Sequence, residues 1–463
     1  YLMRIITILL FSLFLLGCAA IPYEEAKVDV VEVNKLITEL DIYNEEFEEF
    51  LKTNGYPSNN LPIKDWGLRE LLLAQLFFNY DIKNAKASLD WVRTSENIAL
   101  LYPPSSIGIE IGRGDSEEEL SKNIFGGGFN FTFESANKRL IRYEIAFNET
   151  QSAALQYELK IWDARAKLLE QIVNLLERQD LITITKDELR SKHSILQMIK
   201  KRVGVGILSQ VQLDRVTLEL SAINQMLLNL QYDQEKVRNE IATSVGLSLE
   251  KFNLIPVNTQ KIKAMFNKAS ADFVAENEVG NIKYKATTNS KMLRILLANY
   301  AVAESLLKYE IAKQYPDFNF SPAYTYDLGN YIWNIGIETI IGSTDRNKVY
   351  IERAKKLRET EATKVLSYQI EIINAAERLL DDFSYGLALK RDVEEMRETK
   401  NNLKKQLVKR FDNGILDRLE LELELIKFNE IERSYHKALY NVMRKGLFAE
   451  STVQEPIFTE QFN

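Results

Sequence analysis

The chain is poor in the residues from which reactive and metal-binding sites are made. Among 463 residues there is one cysteine, Cys18, and there are two histidines, His193 and His436, each alone on a helix-patterned segment. Metal sites gather several such ligands, and no Ser/His/Asp arrangement can be drawn here without forcing it. We therefore expect no metal, no cofactor and no enzyme. A single-signed charge is also missing: 59 Lys and Arg stand against 66 Asp and Glu, a net −7. Without a basic tract to neutralise phosphates, nucleic acid is excluded as a partner. Proline is absent from Ser105 to Ile255 and from Ala323 to Glu455. Nothing in those windows forbids very long helices.

Long apolar runs are lacking too, except at the start. Met3-Arg4 precedes the apolar stretch Ile5 to Leu16 and then Gly17-Cys18-Ala19-Ala20. A positive start, about a dozen apolar residues and small residues at a cleavage point read as a secretory signal over residues 1–17, too short to span a bilayer. Leu15-Leu16-Gly17-Cys18 resembles the bacterial lipobox, which implies that Cys18 becomes the acylated (palmitate-bearing) first residue of the mature protein. Ala19 after it resembles an outer-membrane address. A mature chain with no other cysteine suits an oxidising periplasm, because nothing is left to mispair.

What is present is helical periodicity of unusual length. Ser135 to Val203 has neither Gly nor Pro, and Ser343 to Asn413 has only Gly386. Leu155, Leu159, Trp162, Ala166, Leu169 and Val173 recur at three-to-four spacing, as do Val365, Leu366, Ile372, Ile373, Ala376, Leu379, Leu380, Phe383 and Leu387. Each stretch therefore predicts one long helix with an apolar stripe. At about 1.5 Å per residue each reaches about 100 Å, which requires a coiled-coil or tubular partner. A second helix follows each across a glycine-containing turn, Gln210 to Val245 and Leu419 to Lys445. A shorter one precedes each, Trp66 to Leu101 and Asn289 to Lys313. Turns so short force antiparallel pairs.

Between the preceding and long helices the period changes to two. Ile107, Ile109 and Ile111 alternate with small or polar residues, as do Phe129, Phe131 and Phe133. Phe318, Phe320, Tyr324 and Tyr326 do the same, followed by Tyr331, Trp333, Ile335 and Ile337. These predict four strands of about ten residues, each with one apolar and one polar face, the length a tilted strand needs to cross hydrocarbon. Pro322 falls mid-strand and suggests a bulge or bend. Gly126-Gly127-Gly128 lacks the strand-loop-helix setting of a phosphate cradle and is read as a bulge or turn. Four strands cannot close a barrel and open edges are not tolerated in lipid, so the chain must oligomerise; three copies supply twelve strands.

The pattern occurs twice at constant spacing. Lys138-Arg139 recurs as Arg346-Asn347, Ala146 as Ala354, and Arg202 to Leu208 as Arg410 to Leu416, each 208 residues on (346 − 138 = 410 − 202 = 208). Duplicated units whose long element keeps its length are the simplest cause. The expected organisation is a signal peptide at 1–17, a lipidated segment at 18–65 and a first repeat at 66–248. An equatorial linker at 249–285, a second repeat at 286–448 and a tail at 449–463 follow.

This order of parts resembles the TolC-type outer-membrane efflux ducts, outer membrane factors that are in part lipoproteins. The resemblance rests on Trp66-Gly67-Leu68 to Asn79, on Tyr102-Pro103 and Tyr315-Pro316-Asp317 before strands, on Tyr331 to Ile337 leading into Arg346 and Ala354, and on the turns after Arg202 and Arg410. It implies a mainly helical fold: antiparallel coiled-coil helices forming a periplasmic tunnel, plus four strands per chain in a 12-stranded barrel of a homotrimer. It further implies a passive exit duct in the outer membrane, meeting a periplasmic adaptor protein and an inner-membrane pump of RND or ABC type, for efflux or type I secretion. By position, the adaptor-docking tips are Val203, Gly204, Val205, Gly206, Ile207, Leu208 and Ser209, with Phe411, Asp412, Asn413, Gly414, Ile415, Leu416 and Asp417. Glu420 matches an aperture acid of the family, whereas the next acidic position is Leu423, a departure. Glu422 and Glu424 are read as solvated helix face. The alternative is a structural or adhesive lipoprotein that uses the helices as a spacer and transports nothing.

Overall fold

Two helices of 67 and 69 residues dominate the structure, a computed structural model that describes residues 21–26, 28–114, 123–276, 279–340 and 344–459. Cys18 and the signal segment lie outside the described residues. Glu45–Asn463 is one compact unit and Tyr1–Asn44 another. Within the smaller one, α1 (Val30–Thr38) is capped by Asp29, whose carboxylate accepts the Val31 N–H at 2.8 Å.

The larger unit opens with α2 (Glu45–Thr53) and α3 (Leu68–Phe78). α4 (Tyr80–Ala99) then leads into β1 (Ser106–Arg113) and β2 (Asn123–Phe133). The first long helix, α5 (Lys138–Gly204), turns back as α6 (Gln210–Val245). Three short helices follow, α7 (Leu249–Asn253), α8 (Thr259–Glu276) and α9 (Val279–Asn289). α10 (Lys291–Ala312), β3 (Phe318–Asp327), β4 (Asn330–Thr339), α11 (Thr344–Asp412) and α12 (Arg418–Val453) repeat the first series. α6 and α12 are both 36 residues long, and 418 − 210 = 453 − 245 = 208. The offset read from the sequence thus extends to the far end of each returning helix.

The expected helix Trp66 to Leu101 is broken at Asn79, although no Gly or Pro lies there. The Asn79 side-chain oxygen accepts the Ile82 N–H at 3.1 Å and its amide donates to Ser244 O at 2.8 Å. Gln75 donates to Ala164 O and Ser244 O. Gly246 ends α6 at φ 93° with its Cα pressed on the Phe78–Asn79 backbone, where a Cβ would come within 2.5 Å of Phe78 C and O. Tertiary contact therefore interrupts a segment whose local pattern is continuous. Ser290 does the same job in the second repeat, its hydroxyl accepting the Leu293 N–H before α10. The second correction is at the other end. α12 runs past Lys445 to Val453 because Gly446 stays helical, its missing side chain making room for Phe458, whose Cζ a Cβ would meet at 2.7 Å.

The four strands form one antiparallel sheet in the order β1-β2-β3-β4, so the centre joins a strand of each repeat. Beneath it the helices pack in the matching order α4, α5, α10, α11, while α12 also lies on α5. Gly126-Gly127-Gly128 forms neither bulge nor turn; it continues β2 in register with Glu110, Ile109 and Gly108. Pro322 does not bulge the strand either. β3 keeps an unbroken register with β4, and only the pairing of Phe129 and Asn130 with β3 is missing, opposite Pro322 and Ser321. Losing one donor opens a gap in one ladder without adding a residue.

The short elements form a girdle part-way along the long helices. Trp66, wholly buried, bridges to Val257, and Asn258 N–H returns to Trp66 O at 2.9 Å. Phe47 of α2 packs its ring 4.9 Å from that of Phe78 and 5.2 Å from that of Phe77.

Candidate functional site

Three places distinguish this fold from a plain helical bundle: the sheet, the passage beneath it, and the hairpin tips. On the sheet, register sorts the side chains. Ile107, Phe129, Pro322 and Ile335 lie in one row, and Ile109, Gly127, Tyr324 and Trp333 in the next. Ile111, Phe125, Tyr326 and Tyr331 make a third, with Phe131, Phe320 and Ile337 on the same face. The face is exposed in the single chain: Ile111 is 78% and Trp333 80% accessible. So continuous an apolar band with an aromatic cluster at the hairpin end (Tyr324 to Trp333, 4.4 Å between centroids) is costly in water and suited to lipid. Among the described residues, both sheet edges, β1 and β4, lack a neighbouring strand.

The passage from sheet to helix is held by a clip. Ala136 and Asn137 both have positive φ (53° and 55°), so β2 enters α5 through two residues in a left-handed conformation that L side chains disfavour. The Lys138 ammonium, almost fully buried, donates to Asp317 Oδ1 at 2.8 Å and Tyr315 O at 2.6 Å. The same carboxylate oxygen accepts the Ser135 N–H at 2.8 Å. Arg142 pairs with Glu134 just beyond. Asp317 of one repeat thereby ties down the passage of the other. Its counterpart is asymmetric, since Arg346 is exposed and faces the Tyr350 ring instead.

At the tips, the two turns are copies. Gly206 (φ 75°) and Gly414 (φ 70°) donate to Val203 O and Phe411 O, while Ile207 N–H reaches Arg202 O at 2.8 Å and Ile415 N–H reaches Arg410 O at 2.9 Å. This paired pattern ends a helix on a glycine in the left-handed region. Ser209 and Asp417 occupy equivalent cap positions. Ser209 N–H is closed by Gln212, whereas the Asp417 carboxylate is drawn to Arg202 of the other tip at 2.7 Å. That guanidinium holds the Asp417 carboxyl below the usual range.

Among the expected tip residues, Gly204, Val205, Gly206, Ile207, Ser209, Asp412, Asn413, Gly414, Ile415 and Asp417 are exposed. Leu416 is buried, and Val203, Leu208 and Phe411 pack into the clusters behind the turns. Leu419 and Ile426 of α12 join the cluster of the first tip, so the two hairpins share a seam. Glu420 is exposed. Glu422, expected in solvent, is instead buried and bound to Arg418 at 2.9 Å.

The sequence reading missed a polar seam higher up. Asp180 Oδ2 on α5 accepts from Lys263 of α8 and from the Tyr440 hydroxyl of α12, and His436 Nδ1 lies 2.8 Å away without hydrogen-bond alignment. Burial opposes the ionised carboxylate, but these donors outweigh it and bring Asp180 down to about 2. Burial and the same carboxylate push the Tyr440 phenol up. Arg433 with Glu188, and Arg444 with Glu177, extend the seam on either side. A cavity of about 350 Å³ between α5, α11 and α12 adjoins it. Glu432, His436 and Tyr440 recur at spacing four on one helix face, the one signal by which the sequence could have disclosed it. His193 is exposed, and among the described residues no group of His, Cys, Asp and Glu is placed to hold a metal ion.

No described helix is long and apolar enough to cross a membrane. Residues 79–247 match the family described as Outer membrane efflux protein. Comparison with curated proteins by sequence gave no match. Among solved structures, the Campylobacter jejuni CmeC outer membrane channel is similar at 12% identity and TM-score 0.66, over 94% of this chain and 94% of that one. The outer-membrane channel OprN is similar at 14% and 0.66 (85% and 91%), and the Vibrio cholerae outer membrane protein VceC at 13% and 0.65 (83% and 95%). Residues 79–247 therefore match the Outer membrane efflux protein family, and the chain has the fold of these outer-membrane channels.

Proposed function

We propose that three copies of this chain form a passive exit duct in the bacterial outer membrane, extending into the periplasm and meeting a periplasmic adaptor and an inner-membrane pump of RND or ABC type. One observation carries the reading: a four-stranded sheet with a lipid-compatible face and two unpaired edges stands on two helical hairpins of equal reach that end in identical turns. Open edges cannot persist in hydrocarbon. Pairing β4 of one copy with β1 of the next removes them all, and three copies close a 12-stranded barrel with an aqueous lumen.

In this reading Cys18 carries the lipid anchor, and residues 18–65 are the lipidated N-terminal segment. Residues 66–248 and 286–448 are the two repeats, 249–285 the equatorial segment and 449–463 the tail. The turns Val203 to Ser209 and Phe411 to Asp417 dock the adaptor, since exposed Val205, Ile207 and Ile415 offer small apolar knobs to a helical hairpin partner. Glu420, solvent-exposed near the tip, belongs to the aperture. Nothing in the chain supplies energy; the pump does, and the tightness of the tip seam sets conductance.

Planar-bilayer recording on the purified protein tests the duct. With the tips loosened by Arg202→Ala, discrete conductance steps are expected. A helical spacer without a transport role gives none.

A further inference from the structure

The polar face of the sheet is not evenly charged. Opposite the apolar rows lie Gly108, Gly128, Ala323 and Asn334, then Glu110, Gly126, Thr325 and Ile332, then Gly112, Ile124, Asp327 and Asn330. Toward the helices come Asn130, Ser321 and Gly336, and last Thr132, Asn319 and Glu338. Among the described residues this face holds three carboxylates, Glu110, Asp327 and Glu338, and no Lys or Arg. Arg113 falls on the other face by strand alternation, and Glu134, below the strand, is already neutralised by Arg142.

The acids are spread along the wall. Glu338 lies at the helix-proximal end and Asp327 at the hairpin end; their β3 rows, 319 and 327, are eight residues apart, about 26 Å of strand. Glu110 has a seat of its own. Its Oε2 is where a Cβ on Gly126 would meet it at 3.2 Å, beside Thr325 Oγ1 at 3.1 Å, so the glycine leaves room for the carboxylate to lie over β2. This gives the unbroken glycine run a use that its register alone does not explain. A Cβ at position 126 would make the Glu110 carboxylate and Thr325 Oγ1 give way by a few tenths of an ångström.

Because the apolar face belongs in lipid, the acidic face lines the lumen. We infer that the barrel wall discriminates by charge, favouring cationic over anionic solutes through Glu110, Asp327 and Glu338. A passage walled by one sign of charge in low-dielectric surroundings concentrates counter-ions and repels co-ions. Three carboxylates at three heights recur in each copy, which makes nine in a trimer. This inference rests on the trimeric-duct reading and narrows it to a class of passenger.

The test is the reversal potential of single channels in planar bilayers under a tenfold KCl gradient, using the full-length protein with the loosened tip. The channel as it stands should pass K⁺ at least several-fold more readily than Cl⁻. The triple variant Glu110→Gln, Asp327→Asn, Glu338→Gln should fall to a ratio near one while keeping its single-channel steps. The milder Gly126→Ala, whose Cβ would press on Thr325 Oγ1 and on the Glu110 carboxylate, should lower the ratio partway. A ratio that is near one from the start, or unchanged in the triple variant, overturns the inference and leaves the duct standing. An assembled protein that passes no current overturns the duct reading, and this inference falls with it.

Discussion

Gly206 and Gly414 are the positions at which the tip account is most exposed to a substitution. Each sits in the left-handed region (φ 75° and 70°), and a Cβ on either would meet no atom within 4 Å. The Cβ of a Val at either position therefore meets no clash, and the cost at the backbone is conformational. It is about 1–2 kcal/mol for an L residue held there, and about 2–4 kcal/mol for both if the tips act independently. The turn bonds carry this cost, because Ile207 N–H to Arg202 O and Ile415 N–H to Arg410 O exist only in that conformation. Amide exchange at Ile207 and Ile415 should accelerate by roughly 5- to 30-fold per substitution, with helix amides beyond the first turn unaffected. Gly204 is an internal control of opposite sign. It also has nothing within 4 Å but ends α5 in helical conformation, so Gly204→Ala should stabilise the last turn by about 0.5–1 kcal/mol and slow local exchange by about 2- to 5-fold. Pump-dependent export should fall in the double Val variant at unchanged protein level. Unaltered exchange in Gly206→Val would refute the turn assignment, and altered turns with intact export would refute docking through them.

Other predictions follow from the ion pairs and the anchor. The Asp417 carboxyl lies below its ordinary value through Arg202, so its contribution is present above about pH 4 and is lost as pH falls through the depressed folded value. The pair is exposed and worth at most about 1 kcal/mol, so Asp417→Asn should raise conductance modestly at neutral pH and flatten its acid dependence. The Asp180 carboxyl follows the same sign: with a folded value of about 2 it adds about 1–2 kcal/mol, after screening, above about pH 4. That contribution should be largely lost toward pH 2, and Asp180→Asn should remove this carboxylate's share of the acid-range dependence of thermal stability. Asp317→Ala leaves the buried Lys138 ammonium without its counter-ion and should cost about 2–3 kcal/mol, seen as faster exchange at Ser135 and a less heat-resistant assembly. Cys18→Ser should abolish acylation, measured by mass, while leaving assembly largely intact.

The long elements were legible because their signals are local and repeated. A 3.6-residue stripe over nearly 70 residues, and a two-residue alternation in four runs, survive any tertiary context. Equal spacing between repeats carried hairpin length directly. The breaks were not legible where distant residues impose them. Asn79 ends one helix and caps the next because Ser244 and Gly246, about 165 positions away, press on it. Gly446 looked like a stop but is a seat for Phe458, and Gly126 to Gly128 looked like a turn but continue a strand. The tip turns could be placed from glycine spacing, whereas the Arg202–Asp417 link joins residues 215 positions apart and needed the fold. Glu422 read as solvated, and Asp180 and Lys263 gave no signal, since pattern alone does not say which of many charges meet inside.

The central claim is that the open edges of the sheet are closed by other copies of the chain. Hydrogen exchange of the full-length protein extracted from outer membranes tests it at β1 and β4, on the amides that point away from β2 and β3. Closure of a 12-stranded barrel predicts protection there comparable to that in β2 and β3. Exchange at the rate of free edge strands, with β2 and β3 protected, would contradict it.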